Sequence, residues 1–200
     1  MTQTHDLSRY DSVWRAAEPY MRARKNDVHI PLSFAWAVTL LEHFPEADRD
    51  VCLLAILLHD IGWWAIDIDE IIAQGFRSEN MLQSDVRYRH EAEGVRLATE
   101  VLRQTGWAEG VIAQVCEIID GHDTRPEPRH LNDRIVRDAD KLWRYEVTGT
   151  AVGCDWFGET PVENCNRNES ILPKFETEPG RAMATAALAE TRRALLAHVL

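Results

Sequence analysis

The sequence predicts an all-α bundle. Nearly every apolar periodicity in its 200 residues follows a helical repeat. No run alternates Val, Ile, Thr and aromatic residues as a half-buried strand does. An apolar content of 45% over this length builds one core without disulfide or metal staples.

The elements follow in order. Leu7 to Arg24 reads as a first helix. Pro31 suits the first turn of a second, running to Phe44. Glu46 to Asp60 forms a third, apolar nearly all round from Val51 onward and therefore central. Asp67 to Gln74 is a short helix ended by Gly75. His90 to Gln104 stops near Gly106, and Ala108 to Gly121 follows. Leu131 to Thr148 comes after the breaker stretch Arg125-Pro126-Glu127-Pro128. Gly149 to Gly180 carries Gly149, Gly153, Gly158, Pro161, Pro173 and Pro179 with little periodicity. A long irregular segment is expected there, of the kind that serves as a lid or binding loop. Arg181 to Leu200 is a final Ala- and Leu-rich helix. The expected division is a helical domain over residues 1–148, with 149–200 packed on the same domain.

The formal net charge of −11 argues against a general nucleic-acid binder, which needs a basic face. None of Cys52, Cys116, Cys154 and Cys165 forms a CxxC, so zinc-ribbon and thioredoxin-like motifs are unsupported. Cys52 and Cys116 read as buried thiols, and a disulfide between Cys154 and Cys165 has no support. The N-terminus lacks the pattern of a secretory signal. The longest apolar run, Val51 to Leu58, is too short to span a bilayer. The expectation is a cytoplasmic protein with no membrane partner; a homo-oligomer is compatible.

The chemistry lies in the histidines. His59 and Asp60 stand together at the end of the central helix, in Leu57-Leu58-His59-Asp60-Ile61-Gly62. Burying an imidazole beside a carboxylate is costly unless both are satisfied. A divalent cation satisfies both, and Gly62 lets the chain turn afterwards. His90 shares a helical stripe with Leu97 and Val101, and His122 closes one formed by Val111, Val115 and Ile118. Asp140 lies inward between Val136 and Trp143, and His29 sits just before Pro31. Any one of these taken alone is more often a hydrogen-bonded core residue. Their coincidence on different helices is what a bundle-core metal site requires. His5, His43, His130 and His198 lack such context and read as surface residues.

With these residues in view, the chain resembles the HD superfamily. His59-Asp60-Ile61-Gly62 matches the HDIG signature, and His29 and Asp140 match the family's other two metal positions. The resemblance spans about Val28 to Tyr145 and implies the HD-domain helical bundle and metal-dependent phosphoester hydrolysis. His90 and His122 match, in order, the extra histidines of HD proteins that hold two metals, such as the HD-GYP phosphodiesterases and the diiron oxygenases related to inositol oxygenase. The alternative is that they bind substrate phosphate beside a single ion. No GYP follows, so a cyclic dinucleotide substrate is unsupported. Trp63 stands where some mononuclear nucleotidases carry a glutamate and where the diiron proteins are often basic.

The resemblance therefore implies a phosphohydrolase acting on a small phosphorylated molecule or nucleotide. His29, His59, Asp60 and Asp140 hold one ion, and Asp60 bridges to a second held by His90 and His122. Asp60 is the central catalytic residue. The ions expected are one or two of Fe, Mn, Zn, Co or Ni, with Mg also compatible. Arg125, Lys141 and Arg144 are the candidate phosphate-binding residues, against the plainer reading of solvated helix faces. The alternative function is a mixed-valent diiron oxygenase of the same fold, because ligands alone do not decide redox capacity. A non-catalytic signalling module ranks last, since such modules lose ligands and this set is complete. Trp63, Trp64, Trp143, Trp156 and Phe157 are aromatic enough to stack on a base, though Trp at helical spacing is more often core.

Overall fold

A computed structural model describes residues 6–76 and 84–196. The architecture is helical, with no strand among the described residues. Helix α1 (Asp11–Ala17) is a short piece flanked by the 3₁₀ turns Ser8–Tyr10 and Glu18–Tyr20. Pro19 breaks the single helix expected there, because it has no N–H to return to the preceding turn. Helix α2 covers Asn26–Leu40. It begins earlier than expected, so Pro31 lies inside it and gives no hydrogen bond to the Asp27 carbonyl.

Helix α3 (Arg49–Leu58) is the axis of the molecule. Asp48 caps it by accepting from the Val51 amide at 3.1 Å. Every side chain from Val51 to Leu58 is fully buried. A one-turn helix α4 (Ile68–Glu70) and a π turn over Ile71–Phe76 replace the short helix read from the sequence. Helices α5 (Asp85–Gln104), α6 (Glu109–Ile119) and α7 (Leu131–Leu142) then follow, and α2, α6 and α7 pack directly around α3. His130 caps α7 through its ring Nδ1, and His43 is exposed; His5 and His198 lie outside the described residues.

The segment from Gly149 to Gly180 is not irregular. It folds into α8 (Val147–Phe157), α9 (Pro161–Ile171) and a 3₁₀ turn (Leu172–Lys174), ahead of α10 (Glu178–Leu196). Its glycines and prolines are punctuation. Gly158 adopts φ 66° and ends α8. Thr160 and Glu163 form a reciprocal capping box, with Pro161 in the first helical position. Gly149 and Gly153 sit inside α8 because the helix packs too closely for side chains there. A Cβ at 149 would strike the Trp143 carbonyl, and one at 153 would come within 2.6 Å of Asn164.

These C-terminal helices share the main core through Cys165, Phe175, Ala184 and Leu188. A polar latch joins them to α7: the buried Asp138 carboxylate accepts from the Glu176 amide (2.9 Å), the Thr177 amide (2.8 Å) and the Thr177 hydroxyl (2.7 Å). All four cysteines are free thiols. No helix among the described residues is long and apolar enough to cross a membrane.

Candidate metal centre

Five separate elements deliver the six predicted side chains to one place. Helix α2 brings His29, the end of α3 brings His59 and Asp60, and α5 brings His90. The turn after α6 brings His122, and α7 brings Asp140. His90 lies inside α5 rather than at its start, because that helix begins at Asp85.

The local sequence explains the delivery. Gly62 lets the turn after Asp60 touch the α5 backbone: a Cβ there would collide with the His90 carbonyl and the Gly94 amide. The closest approach of the two elements thus falls where His90 must stand beside Asp60. Gly121, at φ 96°, turns the chain after α6 so that His122 faces inward. Trp63 is not a substitute acid or base. Its indole N–H donates to Asp60 Oδ1 at 3.0 Å, and its ring stacks on His90 with centroids 3.9 Å apart.

The donor atoms converge. The Nε2 atoms of His29 and His59 are 2.9 Å apart, and each is 3.3 Å from Asp140 Oδ1. The Nε2 atoms of His90 and His122 are 3.5 Å apart. Asp60 stands between the two pairs. Its Oδ2 lies 3.4 Å from His29 and 3.8 Å from His59, while its Oδ1 lies 3.4 Å from His122 and 3.7 Å from His90. His59 and His122 each donate Nδ1–H to a backbone carbonyl three residues earlier, Ile56 at 2.8 Å and Ile119 at 2.9 Å. That hydrogen bond leaves Nε2 as the lone-pair atom facing the centre, the tautomer a metal ligand needs. Imidazoles and carboxylates whose donor atoms lie within 4.8 Å of one another in each of three overlapping groups make a chemically sound set for a divalent transition metal.

The electrostatics favour charged carboxylates and set His122 apart, as a ring that must release a proton before it can hold an ion. Burial alone would raise the Asp60 and Asp140 carboxyls, but His59 and Arg24 hold the first well below its usual range, and Arg144 and His59 hold the second there. Burial and the neighbouring His122 push His90 down to about 3. Burial opposes charge on His122 too, but Asp60 and Asp123 outweigh it and lift the ring to about 10.

Several residues escaped sequence reasoning. Asp123 joins His90 and His122 in a third possible donor group and is bound by Arg87 at 2.8 Å. Its position directly after His122 was the available signal. Glu91 follows His90 and holds the loop that carries His122, accepting from the amides of Asp123 (2.9 Å) and Thr124 (3.0 Å). Arg24 reaches Asp60 Oδ2 at 3.4 Å, from a loop whose path no periodicity reveals.

The three basic candidates differ in setting. All line a cleft of about 770 Å³ that opens beside His122 and Asp140. Arg144 Nη2 lies 3.4 Å from Asp140 Oδ2. Lys141 turns to the Lys174 carbonyl (3.1 Å) and Asp138 (3.6 Å), so it ties α7 to the C-terminal segment. Arg125 folds back onto Asp133 (2.8 Å) and the Glu117 and Asp120 carbonyls, which commits its guanidinium to holding the loop after α6. The cleft walls hold eight Lys and Arg residues against four Asp and Glu, although the whole chain carries −11.

A helical bundle whose core gathers histidines and aspartates from five elements carries a donor set that could hold a metal ion, in the histidine–aspartate pattern. The chain belongs to the HD domain family, whose model matches residues 29–144, from His29 through Arg144. Members of that family are in general metal-dependent phosphohydrolases. Comparison with curated proteins and with solved structures gave no match.

Proposed function

We propose that the protein is a metal-dependent phosphohydrolase acting on a small phosphorylated molecule or nucleotide. The observation that carries this reading is the division of Asp60 between two histidine pairs, with His122 and Asp140 lining a cleft rich in Lys and Arg. His29, His59, Asp60 and Asp140 would hold one divalent cation; Asp60, His90 and His122 would hold a second. Such an ion, when bound, supplies Lewis acidity and a water acidified toward neutrality.

The chain's own residues do the rest. Nδ1–H donation to Ile56 and Ile119 fixes the orientation of His59 and His122. The Trp63 indole keeps Asp60 from rotating out of line. The excess of positive charge in the cleft draws an anionic substrate against the field of an acidic protein. Arg144, with Nη2 3.4 Å from Asp140 Oδ2, would present its planar fork to a phosphoryl oxygen. Trp143, Trp156 and Phe157 form an apolar wall that limits water on one side.

The test is metal analysis of protein purified without added metal, followed by phosphate release from a panel of phosphorylated metabolites. Chelator-sensitive phosphate release supports the reading. Oxygen-dependent turnover with a paramagnetic iron signal and no phosphate release would replace it with the diiron oxygenase alternative.

A further inference from the structure

The donor atoms fall into two matching sets on either side of Asp60. In the first, the Nε2 atoms of His29 and His59 lie 2.9 Å apart, Asp140 Oδ1 lies 3.3 Å from each, and Asp60 turns its Oδ2 toward them. In the second, the Nε2 atoms of His90 and His122 lie 3.5 Å apart, and Asp60 turns its Oδ1 toward them. Asp123 stands to the second set as Asp140 stands to the first. Its Oδ2 lies 3.8 Å from His90 Nε2, and it forms a group with His90 and His122 whose donor atoms all lie within 4.8 Å of one another.

The fold aims this carboxylate from two directions. Glu91 accepts from the Asp123 amide at 2.9 Å, so the backbone at 123 is positioned without help from its own side chain. Arg87, one turn before His90 on α5, donates to Asp123 Oδ2 at 2.8 Å. That ion pair does not compete with a ligand role, because a carboxylate has lone pairs for several partners and ligating carboxylates are themselves hydrogen-bonded. Asp140 has the equivalent neighbour in Arg144, at 3.4 Å.

Charge supplies an independent reason. Asp60 is one carboxylate facing two histidine pairs, and Arg24 already stands 3.4 Å from its Oδ2. A dication on His90 and His122 with only a share of Asp60 would be a poorly compensated buried charge. Asp123 gives the second set a carboxylate of its own, as Asp140 does for the first.

We propose that Asp123 is a metal ligand, and that it completes with His90, His122 and Asp60 a second site of two imidazoles and two carboxylates for a divalent transition metal ion. The proposal rests on the two-ion form of the phosphohydrolase reading and adds a ligand to it.

The experiment strips the full-length chain with a chelator and reloads it with Mn²⁺. Elemental analysis counts the retained ions, Mn²⁺ titration gives their affinities, and melting of the metal-free protein checks the fold. Wild type should retain two ions per chain. Asp123→Ala should retain one, as His122→Ala does, with the metal-free melting temperature near that of wild type. Asp123→Asn keeps an oxygen for Arg87 and should bind the second ion at least about tenfold more weakly; it carries the test should the alanine variant fold poorly. Arg87→Gln removes the hydrogen bond to the carboxylate but not the ligand, and should still retain two ions. Asp120→Asn removes an exposed negative charge at the end of α6 and should match wild type. Two ions held at wild-type affinity in the Asp123 variants overturn the proposal and leave the second site to His90, His122 and Asp60. Loss of both ions in Asp123→Asn also overturns it, making Asp123 a support of the whole centre. An equal loss in Arg87→Gln or Asp120→Asn overturns it too, assigning the effect to the ion pair or to net charge. Wild type that retains a single ion defeats the proposal together with the two-ion form, while chelator-sensitive phosphate release still decides the phosphohydrolase reading by itself.

Discussion

Glu91 clasps Thr124 twice: one carboxylate oxygen accepts from the Thr124 amide at 3.0 Å, and the other from its hydroxyl at 2.6 Å. Glu91 follows His90 on α5, and Thr124 lies two residues beyond His122. The clasp therefore fixes the spacing of two candidate donors that share no element. Glu91→Ala should weaken metal binding by about 10- to 100-fold, while the bundle remains folded. Glu91→Gln keeps one acceptor and should lose less. Metal titration monitored beside circular dichroism checks both; full affinity in Glu91→Ala would remove the clasp from the account.

Asp60 faces both histidine pairs, whereas His122 faces one. Asp60→Ala should abolish retention of every ion and all activity. His122→Ala should lower metal stoichiometry by about one ion per chain. Stoichiometry that holds in His122→Ala while the Michaelis constant rises would mean that His90 and His122 bind substrate beside a single ion.

Gly62 is the point where the His59-Asp60 turn meets α5 backbone to backbone. Gly62→Ala should cost about 3 kcal/mol or more, since neither the His90 carbonyl nor the Gly94 amide belongs to a flexible side chain that could yield. The denaturant midpoint reports this. Gly110 meets nothing within 4 Å of its added Cβ, so Gly110→Ala should be tolerated and serves as the comparison.

Alkaline pH should destabilise the fold. Burial, helped by Asp48, pushes the Cys52 thiol from an ordinary 9 up to about 12. Burial, with Asp50 accepting from its hydroxyl, also raises Tyr10. Above pH 9 the unfolded chain ionises at Cys52 and the folded chain does not, so stability is complete below that pH and falls as pH climbs toward 12. One such proton contributes a slope of at most about 1.4 kcal/mol per pH unit. Denaturant midpoints at about pH 8 and about pH 10.5 should show the fall, and Cys52→Ala should flatten part of it. A midpoint that does not move over this range would contradict the burial argument.

The cluster of candidate donors was readable because each sits in an apolar context that a charged or polar group tolerates only with a partner. Asp140 between Val136 and Trp143 shows the rule, and the structure puts it against His29 and His59. The helical class was equally plain from periodicity. The stretch after Thr148 was misread because Gly and Pro mark helix boundaries and close packing as well as loops. Gly158 ends a helix and Pro161 starts one, but Gly149 and Gly153 lie within α8 for reasons of contact that a sequence does not display. A lid built on an irregular segment accordingly has no basis, since Trp156 is half-buried on α8 against Trp143. Arg24 was invisible for a different reason: its place depends on two backbone angles, and nothing in Arg22-Ala23-Arg24-Lys25 announces them.

Asp138 and Asp140 lie two residues apart on α7, one turned to the C-terminal helices and the other to the metal ligands. A fragment cut where the family match ends, after Arg144, would keep all six ligands. It would also remove the three hydrogen bonds that Glu176 and Thr177 give Asp138, and with them the tie between the helix that carries Asp140 and the C-terminal segment. Such a fragment should be less stable than the whole chain, because the border drawn by family resemblance falls short of the contacts that Cys165, Phe175, Ala184 and Leu188 make with the core.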